Sequence, residues 1–263
     1  MSKPQTGVAQ SPGEYGLSVV YRIKDVFMTA MSVAHVGAML PGLVKEFGRT
    51  DLPSGTNYMV GFGPLLGSFI WQGNEPRGFS RLNSLKDEEI FQPGTDGDLW
   101  VFLSSNSEEI NRKLEEYLHG YLLNLAVREE WVEGKMMDTI DPSESMDGIL
   151  FNASDPEFNQ SCYAWVRRIE KVSAKKEPFS NIPGVRSHRM NYEMEGKKYF
   201  LEFSFAAVPE LFKKVCPNQE AGAVRNFQSS KGFFFLPSID VLVSTRMGTL
   251  RMGNLSPTAK WKE

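Results

Sequence analysis

The segment Arg186-Ser-His-Arg-Met-Asn191 places two guanidiniums, an imidazole and a side-chain amide within a few residues of one another, and upstream of it stands Asp147, followed by Gly148. These residue types suit proton transfer beside a developing negative charge: a carboxylate accepts protons, and a fixed arginine steadies an anion. A neutral imidazole can also ligate a metal, provided its second nitrogen is held. Each group has a plainer reading too. Asp-Gly pairs commonly form turns, and a loop arginine is usually a solvated charge. The sequence has only three histidines, His35, His119 and His188. His35 falls on a predicted helix of the first half, and His119 lies toward the polar edge of a second.

Cys162 and Cys216 have no second cysteine nearby to suggest a metal site or a redox pair, so both read as buried thiols. Gly61-Phe-Gly63 is too short for a phosphate loop and leads into no Lys-Ser or Lys-Thr pair.

The elements that must position these groups follow from apolar periodicity. Gly16 to Ile23 alternates as a strand. From Asp25 the spacing of Phe27, Met31, Leu40, Leu43, Val44 and Phe47 predicts a helix to Gly48, kinked at Pro41. Asn57 to Phe62 is a second strand, and the connection from Gly63 to Gly97 is long enough to suggest a functional loop or an interface. Gly97 to Leu103 is a third strand. Asn106 and Glu109 have capping-box spacing at the head of a helix whose apolar face runs Ile110, Leu114, Tyr117, Leu118, Tyr121, Leu122 and Leu125. Residues 127 to 137 read as a strand. This β-α-β-β-α-β order is ferredoxin-like.

The second half repeats the plan in part. Strands are expected at Cys162–Ile169, Lys198–Phe205 and Gly232–Leu236, with a short helix from Pro209 to Val215. Between Ile169 and Lys198 there is no apolar periodicity, so this stretch reads as loop and turn.

With 263 residues, 41% of them hydrophobic, the chain can bury a substantial core. A formal charge of -3 offers no general field for nucleic acid or an anionic membrane. Met1 to Tyr15 has no apolar signal-peptide core, and no uninterrupted apolar run is long enough to span a bilayer, which points to a cytoplasmic protein.

Three segments, Asn57-Tyr-Met-Val-Gly-Phe-Gly-Pro-Leu-Leu66, Gly97-Asp-Leu-Trp-Val-Phe-Leu103 and Ser145-Met-Asp-Gly148, resemble in order three motifs of the dye-decolourising peroxidases. These are that family's strand ending in Gly-Phe-Gly-Pro, its Gly-Asp-Leu strand and its Gly-x-x-Asp-Gly motif; Glu144 replaces the first glycine of the last. Lys3-Pro-Gln-Thr-Gly7, Trp165-Val-Arg-Arg168 and Gly232-Phe-Phe-Phe-Leu-Pro237 are similar to further family segments, and Phe151-Asn-Ala-Ser-Asp-Pro156 to its Thr-x-Asn-Pro.

The resemblance implies an α+β, duplicated ferredoxin-like fold of the dimeric α+β barrel type, with antiparallel sheets, helices outside and a truncated second half. Its halves would be residues 1–140 and 141–263, the second carrying a haem or ligand cavity. It implies a haem peroxidase that uses hydrogen peroxide to oxidise a small organic substrate. Asp147 and Arg189 would be catalytic, with Asn191 completing an Arg-x-Asn element; Arg186 is the second choice of cation. His188 would be the iron ligand, and Arg186 and Phe234 would contact the cofactor. Two further options stay open on the ligand: it has been lost with the first helix of the second half, for which residues 170–197 show no apolar periodicity, or Met190, Tyr192 or Met194 replaces it.

The alternative function is a haem-free relative, enzyme or binding protein, that uses the vacated cavity; Phe203, Phe205 and Phe233 to Phe235 would suit such a cavity. A homo-oligomer is also expected, with Trp71, Phe79, Phe91 and Phe179 as apolar anchors or, equally, folded back on their own barrel. The tail Arg251 to Glu263 could dock into a protein shell, as in some relatives.

Overall fold

In the computed structural model, residues 3–24, 56–71, 76, 79, 97–137, 158–170, 184–214 and 230–239 are described. Eight antiparallel strands close into one barrel, in the order β1-β3-β2-β8-β5-β7-β6-β4. The strands are β1 (Tyr15–Ile23), β2 (Asn57–Phe62), β3 (Leu99–Ser105), β4 (Ala126–Met136), β5 (Cys162–Glu170), β6 (Val185–Met194), β7 (Lys197–Ala206) and β8 (Ser230–Leu236). Around the ring the first half runs β4-β1-β3-β2 and the second β8-β5-β7-β6, so both halves place their strands in the order fourth, first, third, second. The expected sheets therefore do more than pack together. They join edge to edge.

The two joints are short. β2 meets β8 only at Phe62 and Phe235, and β4 meets β6 only at Lys135–Asn191 and Met136–Met190. At the second joint a Cβ on Gly134 would lie 2.1 Å from the Asn191 carbonyl oxygen, so only glycine lets the strands meet.

Strand alternation sorts the core into an inside and two outsides. Trp100, Phe102, Phe203, Phe205, Phe234, Met59, Met190 and Leu201 fill the barrel, with Phe102 and Phe203 ring centroids 4.7 Å apart. On the outer face of the first half, Leu17, Val19, Tyr21, Val60, Val101 and Leu103 lie beneath a long amphipathic helix. Outside the second half, Tyr163, Trp165, Phe212, Phe233 and Phe235 form a separate aromatic layer.

Three helices are described: α1 (Thr6–Ala9), α2 (Pro64–Trp71) and α3 (Glu108–Leu122), with a 3-10 turn at Pro209–Lys214. α3 follows the predicted apolar face, yet its start differs from the expected capping box. Ser107 is the N-cap and makes no side-chain cap bond, while the Asn106 side chain accepts from the Glu14 amide at 3.1 Å. α2 lies inside the long Gly63–Gly97 connection and carries Trp71 against Phe62, Phe158 and Phe235 at 5.7, 5.7 and 5.3 Å. Phe79 is buried beside it. Both aromatics thus fold onto their own barrel; Phe91, Phe179 and the helix expected at 25–48 lie outside the described residues.

The main correction concerns Ile169 to Lys198, read from sequence as loop and turn. Residues 185–194 form β6, joined to β7 by a two-residue hairpin at Glu195 and Gly196, whose φ angles are 53° and 74°. Two positive φ values in succession match the twist of adjacent strands. Near the N-terminus, Gln5 is also more than a polar lead-in. Its amide donates at 2.9 Å to the Val60 and Pro237 carbonyls and accepts from the Val60 amide, stitching the β2–β8 joint.

Candidate functional site

β6 decides how the candidate residues are shared out. Consecutive strand residues face opposite sides, so Arg186 and His188 join Met190 in the barrel, while Arg189 and Asn191 point outward. His188 is fully buried, stands opposite Phe203 in register, and meets Phe205 edge-on at 5.6 Å. Neither of its ring nitrogens has a hydrogen-bond partner. Burial, with Arg186 adding to it, pushes its pKa down to about 3, so the ring is neutral at ordinary pH. Arg186 donates to the Val8 carbonyl at 3.0 Å. Phe234 is inside as well, stacked on Trp100 at 5.6 Å.

On the outer face one row runs straight across three strands: Arg189 on β6 and Arg167 on β5 are each register partners of Glu202 on β7. Arg189 Nε donates to Glu202 Oε2 at 2.6 Å, and Arg167 Nη2 donates to Oε1 of the same carboxylate. Relative exposures of 5, 1 and 3% for Arg189, Glu202 and Arg167 put the whole row out of water. Aromatic faces flank it, Trp165 at 4.3 Å from the Arg167 guanidinium carbon and Phe200 at 5.6 Å from that of Arg189. Arg167 and Glu202 were not singled out in the sequence. The available signal was Trp165-Val-Arg-Arg168 facing Phe200-Leu-Glu-Phe203 on paired strands, each with a charge where an outward apolar residue would be ordinary.

Asn191 sits two residues along the same face and lines a cavity of about 340 Å³ with Tyr192, Glu193, Lys198 and Tyr199, at the mouth where β4 and β6 part. Inside that mouth Arg168 pairs with Glu130, and Tyr192 stacks on Tyr199 at 5.4 Å. Asp147 and His35 lie outside the described residues. His119, in the last turn of α3 on the first half, stacks on Tyr21 at 6.0 Å. Cys162 is a buried thiol whose pKa burial raises, as expected; Cys216 lies outside the described residues. Among the described residues no three His, Cys, Asp or Glu side chains are grouped to hold a metal ion, and no helix is long and apolar enough to cross a membrane.

No family model matches the sequence, and no curated protein matches it. Solved structures do match. A Rhodococcus jostii RHA1 DypB variant in complex with heme superposes with a TM-score of 0.74 at 16% identity, over 92% of this chain and 98% of that one. The chain has the fold of the dye-decolourising peroxidases. A dye-decolorizing peroxidase from Bacteroides thetaiotaomicron gives a TM-score of 0.66 at 16% identity over 93% and 99% of the two chains, and the encapsulated DyP-type peroxidase from Mycobacterium smegmatis gives 0.70 at 15% over 92% and 98%.

The DypB neighbour is in complex with heme, and the donor set of this chain can be tested against that group. The outer face offers a buried cation, Arg189, with Asn191 beside it. The imidazole one residue away faces the opposite side of the sheet, among packed rings. Among the described residues, no histidine shares the face of Arg189, so the chain does not fit a haem held by His188 and attended by Arg189.

Proposed function

We propose that the protein is a peroxidase-type oxidoreductase that uses hydrogen peroxide on a small organic substrate, with its chemistry on the outer face of the second half. The observation that carries this reading is the Arg189-x-Asn191 pair on that face, in a chain whose fold neighbours include a haem-complexed DypB. Asp147 accepts the proton of the peroxide. Arg189 holds the resulting anion, and Asn191 donates to it; a desolvated guanidinium does this far better than a solvated one. His188 has no part in this chemistry and serves as a core residue.

A second reading, a haem-free relative that binds a small anionic molecule on the same face, is favoured by the split of His188 from Arg189. A cytoplasmic location, a homo-oligomer and docking of the tail into a shell, prompted by the encapsulated neighbour, are parts of the proposal that rest on sequence and fold.

The absorption spectrum of protein produced with abundant haem separates the two readings. A Soret band that survives His188→Leu supports the first; a colourless, folded protein overturns it in favour of the second. Within the first reading, Asp147→Asn is expected to lower peroxide turnover by about 10²–10⁴ while leaving the thermal midpoint unchanged. Unaltered turnover would return Asp147 to the turn that Asp-Gly commonly makes.

A further inference from the structure

We propose that residues 3–9 form a releasable lid: they close one end of the barrel with side-chain bonds where a strand ladder is missing, and they open without unfolding either half, uncovering Arg186 and His188. Alternate residues of an antiparallel strand turn their amide and carbonyl to the same side, and on β2 Tyr58, Val60 and Phe62 are the ones turned toward the second half. β8 meets only Phe62. The lid takes the other two. Gln5 holds both the amide and the carbonyl of Val60 and reaches across to the Pro237 carbonyl, and the Thr6 hydroxyl accepts from the Tyr58 amide at 3.2 Å. Past β8, the Ile239 amide donates to the Lys3 carbonyl at 2.8 Å.

From this joint the lid reaches over the barrel end toward β6. Val8 is buried in the apolar cluster inside the barrel, which also holds Cys162, Phe205 and Leu236, and its carbonyl receives the Arg186 guanidinium. The fit is close. A Cβ on Gly7 would lie 2.5 Å from Met59 Cγ and 2.9 Å from the Tyr58 carbonyl oxygen. Two features make this contact releasable. The outer apolar layers of both halves contain no lid residue, so lifting the lid leaves them whole. Beneath it His188 is buried with neither ring nitrogen bonded, a polar group that gains from water as soon as the end opens.

Cys162 reports the opening, since its thiol is buried inside the barrel opposite Leu236, beside the joint. In the intact chain with Cys216→Ser, labelling of Cys162 by an aromatic disulfide reagent is timed at fixed pH over urea concentrations below the unfolding transition. Exposure through the lid gives a rate that hardly changes with urea, whereas exposure through global unfolding climbs steeply, because the urea dependence scales with the surface uncovered. The wild type should show the flat, lid-limited rate at low urea. Gln5→Leu, which can make none of the three bonds, should raise that flat rate by about tenfold or more. Gly7→Ala, which pushes the lid off Met59 and leaves Gln5 in place, should raise it too and carries the test if the leucine variant does not fold. A rate that climbs with urea from the start, or variants whose labelling accelerates only as far as their global stability falls, would show that the segment leaves only with the whole barrel and would sink the proposal.

Discussion

Among the described residues each half holds a buried carboxylate paired with arginine, Glu115 in the first and Glu202 in the second, and the two are finished differently. Under α3, Glu115 accepts from the Tyr21 hydroxyl at 2.5 Å and from Arg128 at 3.0 Å, so one anion meets one cation and a neutral donor. Arg128 keeps about a third of its side chain in water. Glu202 instead meets two guanidiniums, both buried. The first arrangement is a charge-balanced fastening between helix and sheet. The second ties two buried guanidiniums to one carboxylate, out of reach of water.

The largest effect should come from breaking the second arrangement. Glu202→Leu removes the carboxylate the two buried arginines share, and the expected cost is about 3–5 kcal/mol in urea denaturation. Glu115→Leu should cost less, about 1–3 kcal/mol, because Arg128 can turn to solvent. Equal costs would erase the distinction between the two faces.

The inner and outer sides of β6 offer a second contrast, legible in pH. His188 is held neutral, with a folded pKa of about 3 against an ordinary value near 6.5. The unfolded chain takes up this proton first, so the contribution of His188 is complete above about pH 6.5. It falls by about 1.4 kcal/mol per pH unit as pH drops toward 3. His188→Leu should flatten that part of the stability curve. At pH 7 it should cost little, since it removes two nitrogens that have no partner. A variant as acid-sensitive as the wild type would show that His188 is not the neutral core residue described.

These contrasts also explain what could and could not be read in the sequence. The first half was legible because its strands and α3 obey the simple rule of apolar residues toward one side; Ile110, Leu114, Leu118 and Leu122 needed no other clue. β6 broke the rule in both directions. It sends Arg186 and His188 into the barrel and buries Arg189 outside, so Arg186-Ser-His-Arg-Met-Asn191 looks like loop although it is a strand paired with β7 along its whole length. The positions where local pattern misled are those that carry the candidate chemistry, as expected where function overrides local consistency. Glu195-Gly196, sitting between β6 and the alternating run of β7, was the cue available for the hairpin. The fall of Arg189 and His188 on opposite faces then followed from strand geometry alone, whereas the pairing of Arg167 with Glu202 depends on register between distant segments and has no local signature.

The smallest expected change tests the fastening in the first half. Tyr21→Phe deletes one donor to Glu115 and leaves the Arg128 bond in place, so at pH 7 it should cost about 1–2 kcal/mol, the range for a hydrogen bond to a charged group whose other partner stays. The same variant should behave differently in alkali. Burial, and after it the negative charge of Glu115, raises the Tyr21 pKa well above its ordinary value near 10. Below that value the phenol is protonated in both states and its contribution is complete. Above it the unfolded chain gives up the proton while the folded one keeps it, so wild-type stability falls with rising pH. Phenylalanine has no proton to lose. The gap between wild type and variant, measured by denaturation at pH 7, 9 and 10.5, should therefore narrow by about 0.8 kcal/mol at the highest pH; a gap that stays constant would mean that the Tyr21 hydroxyl titrates freely and that Glu115 is fastened by Arg128 alone.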